Sequence, residues 1–237
     1  MSAGKFNHVK SKEKMQRMFE FFARLDRNNN RVWFQEHKPE YQALRAEWIA
    51  GIARTIAALS QDWPEVACLD PARATYRVYR DIRFSADKTP YKTFLSSTVT
   101  PPALLRGSHT GIYVQAGHNQ ADTGIYGGIW CPDAPALRKI RAAIDANAEE
   151  WLEIVNDPAL TAVYGTGWCG QALKTAPKGY DRDHPLVEYL RLKDIGKFTR
   201  LPRSFFADAA WPEALADRMR PLLPLMRFLI YTLFEEE

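Results

Sequence analysis

The chain has 237 residues, 46% of them hydrophobic and 25% charged, with a net charge of +4. These are ordinary globular values, so a sizeable core can form without disulfide or metal staples. The mild charge, with a pI near 8.9, permits an acidic ligand and disfavours a nucleic-acid surface. Three cysteines, Cys68, Cys131 and Cys169, are too few and too scattered for a disulfide framework, and their odd count fits a reducing cytoplasm. The basic start, "MSAGKFNHVKSKEKM", lacks the apolar stretch of a signal peptide. The most apolar late segment, "PLLPLMRFLIYTLF", is interrupted by Pro221, Pro224 and Arg227 and is shorter than the roughly 20 residues of a membrane span. The expectation is a cytoplasmic protein with no membrane partner, one domain over 1–237, and flexibility over 1–10.

In chain order, Met15, Met18, Phe19, Phe22 and Leu25 recur at helical spacing. Asp26 and the run Asn28-Asn29-Asn30 end that helix, because asparagine tolerates the left-handed conformation. A second helix starts at Pro39, a favoured first-turn residue, with Tyr41, Leu44, Trp48, Ile52, Ile56 and Leu59 on its apolar face. The segment "DRNNNRVWFQEHK" joins the two.

From Thr75 the period changes to two, which predicts a strand. Tyr76, Val78, Arg80, Ile82 and Phe84 share one face; Arg77, Tyr79, Asp81 and Arg83 share the other. "TFLSSTVT" at 93–100 reads as the next strand. "TGIYVQAG" and "TGIYGGIW" read as a hairpin joined by the polar loop His118–Asp122. Helices return after Pro135, with one stripe of Leu137, Ile140 and Ile144 and a second of Trp151, Leu152 and Val155. A short helix follows Pro185, and the segment from Trp211 is helical but bent by Pro221 and Pro224. Helices, then strands with short connections, then helices give an α+β fold: a mainly antiparallel sheet from the middle of the chain, flanked by N- and C-terminal helices.

The densest charge lies in "YRVYRDIRFSADKTPYK", where Arg77, Arg80, Arg83, Lys88 and Lys92 face only two acids, Asp81 and Asp87. Arg80 falls between Val78 and Ile82 on the more apolar face, so it needs a carboxylate, an anionic ligand or a route to water. "SADKTPYK" carries turn chemistry. Three readings fit the cluster: an internal ion-pair network, a site for an acidic or phosphorylated small molecule with arginine offering bidentate geometry, and a nucleic-acid surface.

The blocks "NNNRVWFQEHKPEY", "RVYRDIRFSADKTPYKT", "ALRKIRAAI" and "KTAPKGYDRDHP…YLRLK" resemble the successive signature blocks of the DUF2461 family, a group of mostly bacterial proteins of unknown function. The resemblance runs from about Phe19 to the C-terminal helix. It implies that these blocks belong to one fold; it supplies no reaction, cofactor or catalytic residue.

In the last block Lys178, Asp181, Arg182, Asp183 and His184 crowd one loop. His184 beside Asp183 reads as an oriented general base or, as is commoner for a histidine before proline in a loop, as a capping or surface residue. The candidate acid–base groups are therefore Asp81, Asp87 and His184. The candidate ligand contacts are Arg77, Arg80, Arg83, Lys88, Lys92 and Lys178, expected to gather in one pocket. Standard nucleotide loops and CxxC are absent, and His109, His118 and Cys131 match no metal spacing, so no metal site is expected and no cofactor is indicated. "GSH" at 107–109 is not a nucleophile elbow. Cys131 and Cys169 each follow a tryptophan and read as packing. The glycines of "TGIYGGIW" permit either close backbone approach or a bulge. No pattern sets an oligomeric state.

Overall fold

The computed structural model describes residues 3–105 and 109–234, with side chains from Met15 onward. Residues 1 and 2 of the segment expected to be flexible, and Gly107 and Ser108, lie outside the described residues. The helices before the sheet are α1 (Ala3–Arg27), α2 (Arg31–Glu36), α3 (Lys38–Leu59) and α4 (Pro71–Ala74). Strands β1 (Phe94–Val99), β2 (Thr110–Gly117) and β3 (Gly124–Ile129) follow. Then come α5 (Ala134–Ala146), α6 (Ala148–Asn156), α7 (Pro158–Tyr164) and α8 (Val187–Leu190), strand β4 (Ile195–Arg200), and helices α9 (Trp211–Met219) and α10 (Leu223–Phe234).

The four strands form one sheet in the order β1-β2-β3-β4. Its antiparallel sense shows in the bonds at the strand ends: His118 N to Thr93 O, Trp130 N to His109 O, and Leu201 N to Thr123 O. The hairpin and the strand at 94–99 stand where the sequence places them. The strand expected from Thr75 does not form. Residues 75–92 keep only isolated bridges, Thr75 with Ser97 and Tyr79 with Tyr91. Arg80 N bonds to Pro90 O and Lys92 N to Val78 O. The next rung would need an N–H at residue 90, and proline has none. The fourth strand is instead β4, late in the chain.

Two compact units make up the chain: 1–102, 113–125 and 200–217 in one, and 103–112, 126–199 and 218–237 in the other. In the first, α3 begins at Lys38 with Pro39 in its first turn, and all six expected apolar residues from Tyr41 to Leu59 are buried. Trp48 stacks on Trp211 at 5.5 Å, and Phe206 packs against Phe19 and Trp48. A hydroxyl relay pairs three buried polar side chains of this core: Trp48 Nε1 donates to Ser97 Oγ at 2.9 Å, and Thr75 Oγ1 lies 2.9 Å from the same atom. The joining segment between α1 and α3 contains α2, capped by Asn30, whose side chain accepts from Trp33 N.

In the second unit, Asp133 caps α5 through Ala136 N. Ile140 and Ile144 are buried and Leu137 half-buried. The next stripe differs from the expected one: Leu152 is exposed and Ile154 takes its place beside Trp151 and Val155. Trp151 meets Phe228 of α10 and stacks on Trp168 at 5.5 Å. Gly128 has φ +143°, and a side chain there would strike Ile195 O, so this glycine of β3 serves close backbone approach by β4.

Candidate functional site

Between Tyr76 and Phe84 the burial still alternates from Arg77 to Arg83. Val78 is buried and Arg80 and Ile82 are half-buried, whereas Arg77, Tyr79, Asp81 and Arg83 are exposed. Arg80 meets its requirement for a partner within the turn. Its Nη1 donates to Asp87 Oδ2, to Thr89 Oγ1 and to Thr89 O. Thr89 N donates to Asp87 Oδ1 at 2.9 Å, closing an Asx turn. The Thr89 N–H and then the Arg80 guanidinium hold the Asp87 carboxyl at about 2. Arg83 makes a local two-pronged pair with Asp81, Nε to Oδ1 at 3.0 Å and Nη2 to Oδ2 at 2.6 Å, and holds that carboxyl at about 2 as well. Lys88 Nζ donates to Ile82 O at 2.9 Å.

Asn29 fixes the turn from the other side. Its Nδ2 donates to Tyr91 O at 2.9 Å and its Oδ1 accepts from Tyr91 N at 3.1 Å, so one amide satisfies both backbone groups of Tyr91 as a neighbouring strand would. Here the asparagine run does more than end a helix.

A groove of about 450 Å³ opens against this turn, lined by Asp26, Asn29, Arg80, Asp81, Asp87, Thr89, Tyr91, Lys92, Thr93 and Phe94. A second hollow of about 460 Å³ shares Asp26, Thr93 and Phe94 with it and adds Gln115, His118, Asn119, Gln120 and Asp122. Gly117 makes this wall possible, because a side chain there would overlap Phe94 and the Thr93 carbonyl. Lys92 is the cation left over. It is half-buried, and its ammonium lies 5.2 Å from the Tyr76 ring centre and 5.9 Å from that of Phe94. Among the described residues the ammonium donates no hydrogen bond. Burial pulls its pKa down, and the nearby Arg77 adds to the shift. Arg77 itself is exposed and likewise has no hydrogen bond among the described residues.

Asp26 and His118 were not among the sequence candidates. His118 Nε2 lies 3.7 Å from Asp26 Oδ2, and its Nδ1 is buried with no hydrogen-bond partner among the described residues. Asp26 sits in the last turn of α1, and His118 opens the β2–β3 loop. Their only sequence signal was position beside a helix end and a hairpin turn.

His184 and Lys178 belong to the other unit, so they do not line this groove. His184 Nδ1 accepts from Leu186 N at 3.1 Å, which places the ring proton on Nε2, 3.0 Å from Asp145 Oδ1. Both ring nitrogens are engaged in holding the entrance to α8. Lys178 is exposed. The sequence also gave no warning of Lys197, which is fully buried on β4. Its ammonium donates to the carbonyls of Gly165, Thr166 and Gly167 at 3.1, 3.0 and 3.0 Å and lies 4.4 Å from the Trp168 ring centre. Burial lowers its pKa and raises that of the neighbouring Cys169 thiol. Among the described residues, no group of three or more His, Cys, Asp or Glu is arranged to hold a metal ion. No helix of the described residues is long and apolar enough to cross a membrane.

The family model described as "Conserved hypothetical protein (DUF2461)" matches residues 17–228. The chain belongs to the DUF2461 family. No curated protein and no solved structure matches it. In this DUF2461 chain the signature blocks meet in pairs. "NNNRVWF" meets "RDIRFSADKTPYK" through Asn29 and Tyr91. "ALRKIRAAI" meets "YLRLK" through Arg141, which donates to Leu190 O at 2.6 Å and Leu192 O at 3.1 Å.

Proposed function

We propose that the groove beside the 80–89 turn binds an acidic or phosphorylated small molecule, with Lys92 as its main contact and Arg77 in support. The observation that carries this reading is the state of Lys92: a half-buried ammonium on a groove wall, without a hydrogen bond among the described residues and with a depressed pKa. An incoming anion supplies both the missing acceptor and the missing counter-charge. The other charges of the segment divide from it. Arg80, Asp87 and Thr89 form a clasp that shapes the turn, and Arg83 with Asp81 forms a local surface pair. With carboxyls held at about 2, Asp81 and Asp87 serve as counter-ions, not as proton carriers near neutrality. Calorimetric titration with inorganic phosphate tests the reading. The native protein is expected to bind, and Lys92→Met to lose about tenfold or more in affinity, or about 1.4 kcal/mol, at an unchanged melting temperature. Absence of binding, or equal affinity in the variant, refutes it.

A further inference from the structure

We infer that the ligand of this groove is bifunctional: an anionic head on Lys92, and a hydroxyl-bearing body that passes Phe94 and reaches Asp26, His118 and Asp122. This rests on the anion-binding reading above and names the class of molecule that fits it, a phosphorylated polyol or sugar.

The two hollows share Asp26, Thr93 and Phe94, so a ligand extending from Lys92 along Phe94 enters the second one. The groups there are not equally available. Asn119 is spent on its own loop, donating to Asp122 and accepting from Ala121 N. Gln120 is spent as well, donating to Leu201 O and accepting from Arg203 N. Gln115 gives its carbonyl to Tyr113 at 2.7 Å and keeps its amide N–H groups. The Asp26 carboxylate makes no hydrogen bond among the described residues and only the 3.7 Å approach to His118. Asp122 receives Asn119 at one oxygen. What faces a ligand is therefore rich in acceptors: two carboxylates against one amide and one imidazole edge. Acceptors call for donors, and ligand hydroxyls supply them. A second anionic group placed there would meet Asp26 and Asp122 and be repelled.

Asp26 adds a separate argument. It stands in the C-terminal turn of α1, at the negative pole of the helix, where a carboxylate is unfavourable. A hydrogen-bonding role toward a ligand accounts for an acid in that place. The half-buried Phe94, common to both hollows, presents an apolar face to the C–H side of a polyol chain or sugar ring.

The probes are inorganic phosphate, glucose 6-phosphate, phosphoethanolamine and inorganic diphosphate, titrated calorimetrically into the native protein, Lys92→Met and Asp26→Asn. Removing the Asp26 charge relieves the helix pole, so this variant is expected to keep its fold. Glucose 6-phosphate is expected to bind about tenfold more tightly than phosphate, a difference of about 1.4 kcal/mol. Asp26→Asn is expected to erase that advantage, so that glucose 6-phosphate and phosphate bind this variant equally, with phosphate binding no weaker than in the native protein because a carboxylate has left the groove wall, and Lys92→Met to weaken both. Phosphate binding with no gain for glucose 6-phosphate overturns the bifunctional ligand while the anion site stands. Tightest binding of diphosphate overturns it too, and tightest binding of phosphoethanolamine replaces the hydroxyl body with an ammonium and overturns it as stated. If none of the four binds, both readings fall.

Discussion

Replacing Lys197 by Met keeps the length and most of the volume of a fully buried side chain and removes its charge. Three hydrogen bonds to carbonyls are lost, each worth about 1.5–3 kcal/mol when the donor is charged. Against that loss, the variant no longer has to strip water from an ammonium, a cost of several kcal/mol. The freed carbonyls belong to Gly165, Thr166 and Gly167, all exposed, so water can replace the lost donor. The balance is a destabilisation of about 2–4 kcal/mol. For a chain of this length that lowers the melting temperature by about 5–15 °C. Urea unfolding at neutral pH, followed by tryptophan fluorescence, measures it. The pH dependence gives an independent sign. The folded pKa of Lys197 lies below the unfolded value of 10.5, so between the two the unfolded chain binds more protons. Native stability therefore gains with pH across that window, and the variant loses part of that gain. A Met variant as stable as the native protein, or more stable, refutes the reasoning: desolvation would then outweigh the three bonds.

Two further outcomes follow from the 80–89 turn. Arg80→Ala is expected to lower the melting temperature by a few degrees and Arg83→Ala to leave it nearly unchanged, because the Arg80 side chain is 26% exposed and joins two residues, whereas that of Arg83 is 75% exposed and pairs locally; equal effects in differential scanning fluorimetry would contradict this. Asp81 and Asp87 have folded values of about 2 against 3.8, so their contribution is intact above 3.8 and is lost as pH falls through about 2. The Thr89 amide resonance is expected to follow that titration, and a midpoint near 3.8 would show that the Asx turn does not hold its carboxylate.

The α3 helix was legible because Pro39 marks its start and its apolar spacing is unbroken. The hairpin was legible because its two halves alternate around a polar loop. The strand β4 was hidden by its own composition. "IGKFTR" offers Ile195 and Phe198 around a glycine and a lysine, and nothing in a lone lysine says that three carbonyls await it. The false strand at 76–84 had the expected in–out alternation only from Arg77 to Arg83, with Tyr76 and Phe84 exposed, and lacked the ladder, since Pro90 removes the rung that would extend it. For the candidate site, Arg80, Lys92 and the two aspartates came from local charge density, which sequence displays. Asp26, His118 and Phe94 came from chain topology: the end of α1, the β2–β3 loop and the start of β1 converge only after folding.

The outer edges of the sheet carry a further consequence. Along β1, Tyr76 N bonds to Ser96 O and Thr75 bridges Ser97; along β4, Cys169 N bonds to Gly196 O. Neither segment is a strand, yet each occupies hydrogen-bonding groups that would otherwise face outward as a template. A second molecule seeking to extend the sheet finds those groups already engaged by irregular backbone that cannot propagate the pairing. The segment richest in arginine and lysine thus also acts as a guard against edge-to-edge aggregation, and its charge adds to the barrier.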